Sequence, residues 1–187
     1  MRITGGRLKG RLLASPKGRT IRPTSDLVRE AIFDVIGQDL SGCRSLDLFA
    51  GTGSLGLEAL SRGSHLVYFV DNSLQSIALI KKNLMVCKHQ AAGVILRHDL
   101  RKGISRSRRL AQEVFDLAFL DPPYAAGYIP GLLKELSIKG FLSWKSRVVA
   151  ESSKREKLPV AVGRLQMTDT RSYGNTQISV YTFGVET

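Results

Sequence analysis

Asp47-Leu48-Phe49-Ala50-Gly51-Thr52-Gly53-Ser54-Leu55-Gly56 is the stretch that decides the fold of this chain. It follows a short apolar run, Ser45–Phe49, that predicts a β-strand, and it leads into a helical pattern over Leu55–Leu60 that ends near Gly63. Gly51, Gly53 and Gly56 satisfy Gly-x-Gly-x-x-Gly at the strand-to-helix junction. Glycine suits that place because the turn is tight and a ligand must approach the backbone. The helix N-terminus beyond the turn offers unpaired amides.

The same alternation continues outward. Leu66–Val70 predicts a strand ending in Asp71, Ser73–Val86 a helix, and Val94–Leu96 a strand ending near Asp99. Phe115–Leu120 predicts a strand, Tyr128–Leu136 a helix and Val148–Glu151 a strand. Leu165–Thr170 and Ile178–Phe183 predict two closing strands around a Tyr173-Gly174-Asn175 turn. Strands alternating with helices give an α/β fold with a mostly parallel, doubly wound sheet. The last two strands predict an antiparallel hairpin at its edge. Upstream, Pro23-Thr24-Ser25-Asp26 opens a helix with a hydroxyl cap, and Gly37 stops it.

Residues 1–22 stand apart. They carry Arg2, Arg7, Lys9, Arg11, Lys17, Arg19 and Arg22 and no acid. Glycines and a proline break them into short segments, which predicts a small β-hairpin or arm, with 23–187 as the main domain. The whole chain of 187 residues carries a net charge of +12, which favours a polyanionic partner, nucleic acid before an anionic membrane surface. Hydrophobic content of 43% is that of a soluble globule. Cys43 and Cys87 have no pairing signal, and His65, His89 and His98 lie at no ligand spacing, so neither a disulfide scaffold nor a structural metal is expected. No apolar run reaches the length of a membrane span, and the basic N-terminus lacks a signal core. A cytoplasmic location is expected.

Two constellations carry chemistry. In the first, Asp71 lies at the distance beyond the glycine turn at which an acid binds ribose hydroxyls. That much also fits a nicotinamide-dependent oxidoreductase. Asp47 and Thr52 separate the two: a phosphate-binding turn gains nothing from a carboxylate just before it, whereas the sulfonium and amino groups of S-adenosylmethionine do. Asp47, Phe49, Gly51, Thr52, Gly53 and Asp71 are therefore expected to hold that cofactor, with Asp99 in reach of its adenine amine. The alternative for Asp47 is a strand-end residue capping its own turn. For Asp99 it is a surface acid among the arginines of 97–109, themselves either a solvated face or a nucleic-acid contact.

The second constellation is Asp121-Pro122-Pro123-Tyr124, directly after the Phe115–Leu120 strand. Two prolines fix the backbone and remove two amide donors. The Asp121 carboxylate and the Pro122 carbonyl are then two acceptors for the two N–H groups of an exocyclic base amine, and Tyr124 offers a face for base stacking, worth ~1–3 kcal/mol. Asp121, Pro122 and Tyr124 are the expected catalytic residues. Arg2, Arg7, Lys9, Arg11 and Arg22 are the expected phosphate contacts.

These residues in this order resemble a class I methyltransferase, and more narrowly the bacterial 16S rRNA guanine-N2 methyltransferases of the RsmD family. The resemblance covers nearly the whole chain. It includes Arg2-Ile3-Thr4-Gly5-Gly6 with Gly10-Arg11, Arg22-Pro23-Thr24, Val28-Arg29-Glu30-Ala31-Ile32-Phe33, both motifs above, and Tyr173-Gly174 with Thr176. It implies a Rossmann-like, seven-stranded, mostly parallel sheet with helices on both faces and an N-terminal hairpin that touches RNA. It implies methylation of one guanine N2 in 16S rRNA, within an assembled or partly assembled small ribosomal subunit, by a monomer without metal. The core motifs alone also fit a DNA adenine-N6 methyltransferase, and a non-catalytic RNA-binding module on the same fold is the remaining alternative.

Overall fold

The computed structural model describes residues 1–15, 25–104, 107–123, 127–138 and 140–184. The chain divides into two compact units, Met1–His98 and Asp99–Thr187.

The first unit is built on three parallel strands, β1 (Arg44–Leu48), β2 (Leu66–Asp71) and β3 (Gly93–Arg97), in the order β3-β2-β1. Leu46 pairs with Tyr68, and Tyr68 with Val94. β2 is apolar from Leu66 to Val70, and both β1 and β2 are buried on both faces, with Ser45 and Asp47 as buried polar residues of β1. Helix α1 (Asp26–Ile36) starts where the cap signal places it: the Ser25 Oγ accepts the Val28 amide at 3.2 Å. Helix α2 (Ser54–Ser61) lies against β1 and β2, and α3 (Leu74–Cys87) against β2 and β3.

The arm residues belong to this unit. A single antiparallel bridge, Arg2 to Leu12, closes them, and the Ile3 amide donates to the Arg11 carbonyl at 2.9 Å. Between the two lies a 3-10 turn, Gly6–Leu8, rather than a simple hairpin tip. Its backbone is pressed onto the end of α2, where the Leu8 amide donates to Ser61 Oγ and Ser61 Oγ donates to the Gly5 carbonyl. Gly6 is at φ +70°, and a Cβ there would run into the Ser61 carbonyl, so no other residue fits. The predicted arm residues 16–22, Arg22 among them, lie outside the described residues.

The second unit holds β4 (Phe115–Leu120), α4 (Tyr128–Ile138), β5 (Leu142–Ser153), β6 (Ala161–Val162), β7 (Leu165–Tyr173) and β8 (Thr176–Phe183). β4 and β5 are parallel, and β5-β8-β7-β6 continue antiparallel. The expected terminal hairpin is therefore present as β7 and β8. Seven strands are substantial, and the two-residue β6 is an eighth at the edge. β5 begins six residues earlier than the alternation predicts. The reason is local: its register against β4 shifts between Phe115 and Leu117, and Lys145 sits at φ +60°. That irregularity breaks the period of two on which a strand is recognised. Among the described residues no helix is long and apolar enough to cross a membrane.

Candidate functional site

The turn after β1 is shaped by residues in the left-handed region. Gly51 and Gly53 are at φ +54° and +79°, and Phe49, which is not glycine, is at φ +60°. Such a conformation costs a non-glycine residue on the order of 1–3 kcal/mol, and strain of this kind gathers at functional sites. Hydrogen bonds hold it in place. The Ala50 amide donates to the Val70 carbonyl at 3.1 Å and the Gly53 amide to the Ala50 carbonyl at 2.7 Å.

Two carboxylates close on this turn. Asp71, at the end of β2, accepts the Gly51 amide through Oδ2 at 2.9 Å and the Ser73 amide through Oδ1 at 2.8 Å. Asp47, in β1, is 1% exposed and accepts the Gly56 amide in the first turn of α2 at 2.9 Å. Asp47 therefore ties β1 to the N-terminus of α2. Burial pushes its carboxyl up to about 7; the Gly56 amide opposes this and the negative charge of Asp71 adds to it. Thr52 is buried, and its Oγ1 donates to the Met1 sulfur at 3.7 Å.

This donor set discriminates between cofactors. A pyrophosphate needs free amides at the turn and the helix start. Here the Gly51 and Gly56 amides are held by carboxylates, and the turn carries negative charge. A cofactor with a sulfonium, an amino group and ribose hydroxyls fits such a turn.

In the second unit, Asp121 follows β4 and is half-buried, Pro122 is buried and Pro123 is exposed. Tyr124 lies outside the described residues. Asp99 opens the 3-10 turn Leu100–Lys102 and is gripped by Arg101, whose Nε donates to Oδ1 at 2.8 Å and whose Nη2 donates to Oδ2 at 2.7 Å. The Arg101 hydrogen bond leads in holding the Asp99 carboxyl down at about 2. Elsewhere in segment 97–109, Arg97 ends β3 and residues 105–106 lie outside the described residues. Among the expected phosphate contacts, Arg2, Arg7, Lys9 and Arg11 are all exposed, and Arg2 pairs with Asp26 at 3.7 Å.

Sequence reasoning missed a buried charged cluster beneath the arm. Arg29 and Glu58 are fully buried, and Arg62 nearly so. Glu58 pairs with Arg62 and with Arg29 Nε at 3.5 Å, and it accepts the Thr4 amide at 2.6 Å. Arg29 donates to the Arg2 carbonyl at 2.7 Å and to Asp26 at 2.7 Å, and Arg62 stacks 4.0 Å from the centre of Phe33. The signal was present. Arg29 falls at helical spacing with Ile32, Phe33 and Ile36, on the apolar face of α1, and Glu58 is the lone acid in a buried helix.

Residues 1–182 match the family described as conserved hypothetical protein 95. A relative in Bacillus subtilis, named "Putative rRNA methyltransferase YlbH", is 38% identical over 97% of this chain and 98% of its own length. "Ribosomal RNA small subunit methyltransferase D" of Escherichia coli is 29% identical over 97% of this chain and 89% of its own. A solved Escherichia coli structure, "Putative methyltransferase yhhF", superposes with a TM-score of 0.85 at 26% identity, covering 100% of this chain and 99% of that one. Its strand order, its glycine turn and these relatives place the chain in one group: it belongs to the RsmD family of rRNA methyltransferases.

Proposed function

We propose that this methyltransferase acts in the cytoplasm, as a monomer, on the exocyclic N2 amine of one guanine in 16S rRNA, presented in an assembled or partly assembled small ribosomal subunit. The single observation that carries the cofactor assignment is the pair of carboxylates, Asp47 and Asp71, holding the amides of the turn after β1. S-adenosylmethionine supplies an electrophilic methyl group on a sulfonium centre. Asp71 binds its ribose hydroxyls, and Asp47 balances its positive charge from below the turn. Phe49, Gly51, Thr52 and Gly53 give the turn its shape. Asp99 takes the adenine amine once Arg101 lets go of it.

The acceptor side is the Asp121-Pro122 turn. The Asp121 carboxylate and the Pro122 carbonyl accept the two N–H groups of the base amine and Tyr124 stacks on the base. Holding both hydrogens keeps the nitrogen lone pair directed at the incoming methyl group, so alignment is the main catalytic contribution. A carboxylate is too weak a base to deprotonate a neutral aromatic amine. Asp121 takes the proton late, after the new N–C bond has made the nitrogen cationic. The guanine leaves its stack to reach this turn, at a cost of a few kcal/mol. Arg2, Arg7, Lys9, Arg11 and Arg22 grip the phosphates beside it.

The test is to incubate the protein with labelled S-adenosylmethionine and, in parallel, undermethylated small subunits, naked rRNA or DNA, and to digest the product to nucleosides. Label in N2-methylguanosine from the small-subunit RNA is the expected result. Label in N6-methyladenine, or none in RNA, refutes the proposal.

A further inference from the structure

Asn83 is a fully buried polar residue in α3 that none of the roles above employs. It falls between Ile80 and Cys87 at helical spacing, where an apolar side chain would be the ordinary choice. Its amide group meets two separate stretches of backbone. Nδ2 donates to the Thr52 carbonyl at 2.9 Å, inside the cofactor turn. Nδ2 also donates to the Ala14 carbonyl at 3.1 Å, and Oδ1 accepts the Ala14 amide at 2.7 Å. Ala14 lies near the end of the described part of the arm. The beginning of the arm reaches the same residue, because Thr52 Oγ1 donates to the Met1 sulfur at 3.7 Å. Met1 and Leu13 are themselves joined, the Leu13 amide donating to the Met1 carbonyl at 3.1 Å. Met1 and Ala14, the two ends of the described arm, therefore converge on Thr52, the first directly and the second through Asn83.

We propose that Asn83 is a positioning residue that clasps the basic arm to the cofactor turn, so that RNA held by the arm and the methyl donor held at the turn each raise the affinity for the other. The inference rests on the reading above that the arm grips RNA. The physical basis is a shared constraint. When Thr52 adopts the shape that binds the cofactor, its carbonyl fixes Asn83, and Asn83 fixes the backbone at Ala14. When RNA holds the arm still, the same bonds hold Thr52. Two ligands that each stabilise one arrangement are coupled, and the coupling is reciprocal. A buried amide whose donors and acceptor are all engaged with backbone transmits this better than an apolar contact, because each lost bond leaves a buried group unpaired.

Two variants break the clasp from opposite sides. Asn83→Ala removes it whole. Ala14→Pro removes only the amide that Asn83 Oδ1 accepts and leaves the Asn83–Thr52 bond intact. Neither changes the charge of the arm, and melting curves establish that each is folded. S-adenosylhomocysteine is titrated calorimetrically into the full-length protein with and without a 16S rRNA fragment at fixed salt. In the wild type the RNA tightens its binding by about fivefold or more. In both variants the factor falls below about twofold. Amide exchange gives an independent reading without RNA: S-adenosylhomocysteine slows exchange at Ile3 and Leu13 in the wild type and not in the variants. A wild-type factor near one, or variants that keep the wild-type factor and protection, overturns the clasp. The guanine assignment fails separately. Coupling that depends on Asn83, with methylation found on a different base, refutes that substrate and leaves the clasp standing.

Discussion

The turn after β1 and the turn after β4 occupy the same kind of place, the carboxyl end of a parallel strand, and are built in opposite ways. The first is dense with hydrogen bonds. Its amides are taken by Asp71 and Asp47, its carbonyl at Thr52 by Asn83, and its backbone is bent through three left-handed residues. The second has had donors deleted. Pro122 and Pro123 have no amide to give, so this stretch of backbone carries carbonyl acceptors and two fewer donors. The first turn is preorganised by bonds to itself. The second is constrained by its two proline rings. On the function proposed above, negative charge at the first turn serves a cationic cofactor and the acceptors at the second serve an amine.

If the contrast is right, the largest effect comes from the second turn. Asp121→Ala should lower methyl transfer by about a thousandfold, measured in single turnover with saturating cofactor. Residual turnover within tenfold of wild type would remove Asp121 from the reaction.

The buried charged cluster beneath the arm comes next. Glu58→Ala leaves Arg29 and Arg62 buried without their shared carboxylate, which should cost about 3–5 kcal/mol in denaturant unfolding. A cost under about 1 kcal/mol would mean that the cluster contributes packing alone.

A smaller effect sharpens the charge of the first turn. Asp47 ordinarily titrates at 3.8, and in the folded protein it does so at about 7. Between those values the folded chain holds a proton that the unfolded chain has lost, so stability falls as pH rises through that window and levels off above it. Asp47→Asn keeps an oxygen for the Gly56 amide and removes the titration. Melting curves should show the variant gaining on the wild type from about pH 4 to 7. Cofactor binding should release a proton below pH 7 in the wild type alone, since a cation favours the ionised carboxylate; calorimetry in buffers of different ionisation enthalpy measures it.

The smallest effect concerns the arm. Replacing Arg7, Lys9 and Arg11 together by Gln should reduce the slope of log affinity for rRNA against log salt by about two. An unchanged slope would place the phosphate grip elsewhere.

Much of this was legible in the sequence, and what was not has a physical reason. The strand–glycine–helix junction is legible because the turn demands glycine and Leu46, Leu48 and Phe49 lead into it. β4 was found to the residue for the same reason. β5 was cut short because a bulge destroys periodicity. Arg29, Glu58 and Asn83 escape the pattern because each is polar at an apolar position and each has a partner far away in the chain, 27, 54 and 69 residues off. Local pattern reports which face is buried. It does not report that a buried charge on one helix meets another from a distant segment. For Asp47 the sequence leaves two readings, a charge for the cofactor and a cap on its own turn, and its bond to the Gly56 amide matches the cap.

The division of labour between the two turns is tested most directly by titrating S-adenosylhomocysteine into Asp71→Ala and Asp121→Ala by calorimetry, beside the wild type. The account predicts that Asp71→Ala weakens binding by at least about tenfold, as expected for losing a charged acceptor, while Asp121→Ala binds within about twofold of wild type. Equal losses in the two variants, or a loss confined to Asp121→Ala, would contradict it.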